Sequence, residues 1–153
     1  MAKRKSAEKK EKKAERSSKA PQKTGLGLHM KYLIISGKDE MKISRSAHGT
    51  VEDISISGLT FQAQSMRIDD LHLSYNDSPS LRNKLTLEID LPGGQRVTAM
   101  GEVSWYERSF AMPDKDYHIG VTFKEIHDED RSTLKRYLVS IDKTVEPISL
   151  DVL

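Results

Sequence analysis

The chain has 153 residues, is 36% hydrophobic and 31% charged, contains no cysteine and carries a formal net charge of +2. A single domain is the expectation at that length, and disulfides, thiolate catalysis and cysteine-ligated zinc are excluded. The charge is uneven: residues 1–23 hold ten basic and three acidic side chains, an arm of +7 on a body of −5.

Residues 1–27 lack hydrophobic periodicity and nearly all large apolar side chains. Such a segment buries too little surface to offset ordering entropy, so it reads as a disordered basic arm. Its charges are not followed by the apolar stretch of a secretory signal. The run Leu33-Ile34-Ile35 is far too short to span a bilayer. The expectation is a cytoplasmic protein without a transmembrane segment.

The body, residues 28–145, opens with a predicted strand over His29–Ser36, a turn over Gly37–Glu40 and extended chain over Met41–Asp53. Leu59, Phe61 and Ala63 alternate with polar residues, the period of a half-buried strand. Across residues 65–83, Met66, Ile68, Leu71 and Leu73 point to extended structure, and Asn76-Asp77-Ser78-Pro79 to a turn. Leu85, Leu87, Ile89 and Leu91 alternate again; Pro92-Gly93-Gly94 then makes a hairpin into Arg96–Tyr106. A charged loop over 107–116 leads to a strand over Tyr117–Phe123. Leu134, Tyr137, Leu138 and Ile141 form the stripe of an amphipathic helix over about 128–142. Asp128 is its expected cap, with Glu129 and Asp130 at the positive end of the dipole and Lys135, Arg136 and Lys143 toward the other. Pro147 lies in a short tail, 146–153. The fold class is mainly β: a six- to seven-stranded antiparallel barrel with one C-terminal α-helix, a sandwich being the other architecture such spacing allows.

The segment Asp53-Ile54-Ser55-Ile56-Ser57-Gly58 joins two predicted strands. A carboxylate there can accept two N–H bonds from a guanine edge, and Gly58 admits a close approach that a Cβ would forbid. The same residues also suit a plain turn in which Asp and Ser bond neighbouring amides. Arg45 and His48, just upstream, read as exposed strand residues. Trp105 reads as core or barrel rim, the alternative being a nucleobase stack. The histidines 29, 48, 72, 118 and 127 show no metal-ligand spacing. Gly93-Gly94 lacks the Lys-Ser/Thr and helix of a phosphate loop. Glu102 and Glu107 lack a partner arrangement for acid–base work. The expectation is therefore a protein that is not an enzyme and holds no metal or cofactor.

Set among its neighbours, this motif resembles the PilZ domain. The resemblance rests on Gly49–Leu59, Leu85–Pro92, Gly101-Glu102-Val103-Ser104-Trp105, His118–Phe123, Asp130-Arg131 and Tyr137-Leu138, in the family's order and approximate spacing. It implies a six-stranded antiparallel barrel with a C-terminal helix and a receptor for cyclic di-GMP. In that family an Arg-x-x-x-Arg segment before the first strand grips phosphates and guanines, and an Asp-x-Ser-x-x-Gly motif contacts guanine. Asp53, Ser55 and Gly58 match the second motif. The first is absent; Lys19 and Lys23 stand in a Lys-x-x-x-Lys instead, and Arg45 is the alternative guanidinium. Lysine is a point charge without the planar fork of arginine. Two lost bidentate pairs, each worth about 1–3 kcal/mol, weaken binding by roughly 30-fold to 10⁴-fold.

The functional expectation is a cyclic di-GMP sensor or adaptor that couples messenger level to an unidentified protein partner. The alternative is a PilZ-like adaptor that has lost nucleotide binding. The acidic body and the lack of a recognition helix argue against sequence-specific nucleic-acid binding.

Overall fold

The computed structural model describes residues 26–109 and 116–141. Eight strands and one helix are present among them: β1 Leu28–Ile35, β2 Ala47–Ile54, β3 Gly58–Ala63, β4 Arg67–Ile68, β5 Leu71–His72, β6 Lys84–Asp90, β7 Arg96–Arg108, β8 Tyr117–Ile126 and α1 Asp128–Ile141. Six of the strands close a barrel in the order β1-β2-β3-β8-β7-β6, and β4 and β5 form a separate two-stranded pair. All pairings are antiparallel, and β6 returns to β1 to seal the barrel.

Alternation decides which residues fill the interior. Met30, Tyr32 and Ile34 of β1, Leu59, Phe61 and Ala63 of β3, and Leu85, Leu87 and Ile89 of β6 are all buried, with the alternate residues more exposed outside. Tyr32 meets Phe61 edge-to-face with centroids 5.0 Å apart, and burial pushes its phenol up to about 12. The β6–β7 hairpin turns on Gly93 and Gly94, at φ +87° and +83°. That left-handed pair is a conformation in which glycine escapes the Cβ penalty.

The structure refines the sequence reading at several points. Leu26 and Gly27, expected in the arm, donate their amides to Glu52 and Val51 at 3.1 and 3.0 Å, because Leu26 packs on the core. Residues 36–46 are a loop with one bridge, Ile35 to Ile43, so the expected extended stretch becomes a strand only at Ala47. Within residues 65–83 the short β4–β5 hairpin takes only residues 67–72, and Met66, Ile68, Leu71 and Leu73 in and beside it are buried in the core cluster. The charged loop begins later than expected, since β7 runs to Arg108, and residues 110–115 lie outside the described residues. Finally, Asp128 is the first helical residue, and the His127 carbonyl accepts the first helical bond, from Arg131 at 2.8 Å.

The helix buries Leu134 fully, packs Tyr137 and Leu138 against the core and lies on β7. Its last turn has no basic residue among those described. No helix among the described residues is long and apolar enough to cross a membrane.

Candidate functional site

Val51 and Ile54 are both buried although three positions apart, which strict alternation forbids. The strand resolves the conflict with a bulge: Val51 pairs with Phe61 and Asp53 with Thr60, leaving Glu52 over. The extra residue brings Asp53 to the outer face, where it is exposed. Ser55 and Ser57 then make a tight turn. The Ser55 amide bonds the Gly58 carbonyl at 2.8 Å, and its hydroxyl accepts the Ser57 amide at 3.2 Å.

Gly58 is fixed by space. A Cβ there would lie 2.1 Å from the Val121 carbonyl oxygen of β8, well inside van der Waals contact. The registers then carry a single row across four strands, from Asp53 to Thr60, Gly120 and Trp105. Adjacent strands lie about 4.8 Å apart, so the row spans about 14 Å. A second bulge, between Val103 and Trp105, turns the indole outward. Trp105 remains 47% exposed. Its ring lies over Gly120, where a Cβ would meet Nε1 at 2.1 Å.

Together these residues line an open concavity of about 210 Å³, to which Ser104 and Thr122 add hydroxyls. One Asp53 oxygen accepts the Ile54 amide at 3.0 Å; a carboxylate retains further lone pairs for a ligand. The Ser55 hydroxyl is exposed and bonded within its own turn, donating to Gly58 O at 3.3 Å. The described lining contains no cation.

Of the residues singled out from sequence, Asp53, Ser55 and Gly58 thus come together. Lys19 and Lys23 lie outside the described residues. Arg45 is not in the lining. Its Nε and main-chain N–H both bond Asp69, at 2.8 and 3.0 Å, and these bonds hold the Asp69 carboxyl below its usual range. His48 bonds His29, which bonds Asp90 in turn, both at 2.8 Å. Among the described residues no group of three or more His, Cys, Asp or Glu could hold a metal.

Trp105 is the site residue that alternation conceals. Counting by twos from Val97 through Val103 sends it inward, and only the bulge reverses it. The available signal was Gly120, a residue without a side chain where a ring can lie flat.

A family profile described as "PilZ domain" matches residues 28–140. Among solved structures, MrkH of K. pneumonia in its apo state is similar at a TM-score of 0.52 and 16% identity, over 82% of this chain and 52% of that one. The chain therefore spans about half the length of MrkH, and the likeness is one of fold. The PilZ domain of YcgR from Escherichia coli, solved with c-di-GMP, gives a TM-score of 0.46 at 9% identity, over 78% of this chain and 87% of its own. No curated protein matches the chain.

Proposed function

The chain belongs to the PilZ domain family, and from that premise we propose that it is a cytoplasmic receptor for cyclic di-GMP that works by binding and not by catalysis. The observation that carries the reading is the outward row of carboxylate, hydroxyl, bare glycine and indole on four neighbouring strands. Asp53 accepts N–H bonds from the edge of a guanine, and Ser55 completes the polar contact. Trp105 offers its face to a purine, a contact worth about 1–3 kcal/mol per base.

The phosphates need cations that the concavity's described lining lacks. In this reading the arm supplies them through its lysines. Its root is tied beside the motif by the bond from Leu26 to Glu52. At about 3.3–3.6 Å per residue, Lys23 lies within about 10 Å of that root and Lys19 within about 25 Å. The concavity of about 210 Å³ is smaller than the roughly 300–1,000 Å³ of ordinary ligand sites, so a wall folded in from the arm fits the shortfall. Ordering the arm would change a surface that a protein partner reads.

Titration calorimetry of the whole chain with cyclic di-GMP tests this reading. Saturable heat is expected, weakened at least tenfold in Asp53→Ala and in a chain lacking residues 1–23. Absence of heat at high micromolar protein would overturn it in favour of the adaptor reading, in which the fold persists without nucleotide binding. The missing Arg-x-x-x-Arg favours that second reading.

A further inference from the structure

The bulge that turns Asp53 outward is held by a pair that nucleotide recognition itself leaves unused. Glu52 is the extra residue, with no cross-strand partner on β3. A bulged residue sits where the ladder is locally disrupted. Glu52 is nevertheless tied twice. Its carbonyl accepts the Leu26 amide at 3.1 Å, at the root of the arm. Its carboxylate reaches across β3 to β8, where His118 Nδ1 lies 2.9 Å from Oε2 and 3.1 Å from Oε1.

An ionised carboxylate only accepts, so Nδ1 of His118 carries the proton whether the ring is neutral or charged. The two side chains are 28% and 30% exposed, which shields the bond in part from solvent. His118 stands two residues before Gly120 on the same face of β8, and Glu52 stands directly before Asp53. Neither side chain lines the concavity; His118 lies in the neighbouring row, paired with Gln62 and Glu107, beside the Thr60–Gly120–Trp105 row.

We propose that Glu52 and His118 form a positioning latch for the nucleotide site, fixing the bulge so that Asp53 faces the ligand and anchoring the root of the arm to the same strut. The latch rests on the receptor reading for its purpose. His118 acts through Glu52 and Asp53 and is not itself a ligand contact.

The test is a double-mutant cycle on the full chain. Cyclic di-GMP affinity is measured for wild type, His118→Ala, His118→Gln, Asp53→Ala and the His118→Ala/Asp53→Ala pair. His118→Ala is expected to weaken binding about tenfold, the scale of one hydrogen bond to a charged group. His118→Gln, whose amide can still donate to Glu52, is expected to stay within about threefold of wild type. The double variant should lose clearly less affinity than the sum of the two single losses, because His118 works in part through Asp53. Additive losses, wild-type affinity in His118→Ala, or equal losses in the Ala and Gln variants would overturn the latch.

Should wild type bind no nucleotide, the receptor reading fails and the latch is read separately. Amide hydrogen exchange in the nucleotide-free chain should then quicken at residues 26–28 and 51–58 in His118→Ala, leaving the remaining strands unchanged. Unchanged exchange there would overturn the latch.

Discussion

Two regions of the molecule use the same vocabulary of Asp, Ser and Gly to opposite ends. At the β4–β5 hairpin and the loop beside it, polar groups are spent on one another. Arg45 holds Asp69, and Lys42 holds Asp70 at 2.7 Å. His72 accepts the Ser74 amide at 3.0 Å. Asn83, 2% exposed, donates to the His72 carbonyl at 2.7 Å and accepts from Gly37 at 2.9 Å. Beneath them lies an apolar plug. At the Asp53–Trp105 row, the carboxylate keeps capacity to spare, the indole is half exposed and no apolar plug lies above among the described residues. Saturated polar groups over buried apolar surface build structure, whereas unsaturated ones on an open sheet face are available to a ligand.

The contrast predicts a sharp separation of stability from binding. Leu73→Ala, which empties a fully buried position in the plug, should cost about 2–5 kcal/mol in urea unfolding. Asp53→Ala, on an exposed side chain, should leave the unfolding midpoint nearly unchanged and abolish most nucleotide affinity. Equal stability losses would erase the distinction between the two regions.

Two glycines refine it. Gly58→Ala forces a Cβ against main chain at 2.1 Å and should cost about 1–3 kcal/mol, the scale of overpacking. Gly120→Ala meets the Trp105 ring, a half-exposed side chain that can swing away. It should cost less stability than Gly58→Ala while shifting tryptophan emission and weakening binding. A larger stability loss at Gly120 would mean that the indole is a structural prop.

The hairpin and the loop beside it should also respond to acid. Burial first, and the Arg67 charge second, push His72 below the usual 6.5. As pH falls below 6.5 the unfolded chain takes up the proton first. Stability then declines until the folded protein's lower value is passed, and is flat above. The bonds to Arg45 and Lys42 hold Asp69 and Asp70 below their usual 3.8. Their contribution is present above 3.8 and is lost as pH falls through the lower folded values. Thermal unfolding between pH 7 and 3 should show both declines, and His72→Gln should remove only the first. The smallest effect is expected from Arg45→Ala, which breaks an exposed pair and should leave nucleotide affinity unchanged. A loss of affinity there would return Arg45 to the site.

Much of this was legible in the chain itself, for identifiable reasons. Strands β1, β3, β6 and β8 declare themselves by alternation, because one face of each fills a barrel. The Asp-x-Ser-x-x-Gly turn was visible as residue types. Its outward aim was not, because it rests on the bulge at Glu52. What stayed hidden depends on contacts between distant segments. Pairing of β1 with β6 leaves no local mark. The β4–β5 strands are two residues long, too short for a period to register, and their turn places Asp69 at φ +58°. The outward turn of Trp105, read as core or barrel rim, was hidden because a bulge reverses parity without announcing itself, and the Glu52–His118 bond joins residues 66 positions apart.

Trp105 is the chain's single tryptophan, so its fluorescence reports the site alone. Titrating the full chain with cyclic di-GMP should change that emission saturably, and Asp53→Ala should abolish the change over the same range. Emission that stays constant up to high micromolar nucleotide in the wild-type chain would contradict the central claim that this face of the barrel reads a purine.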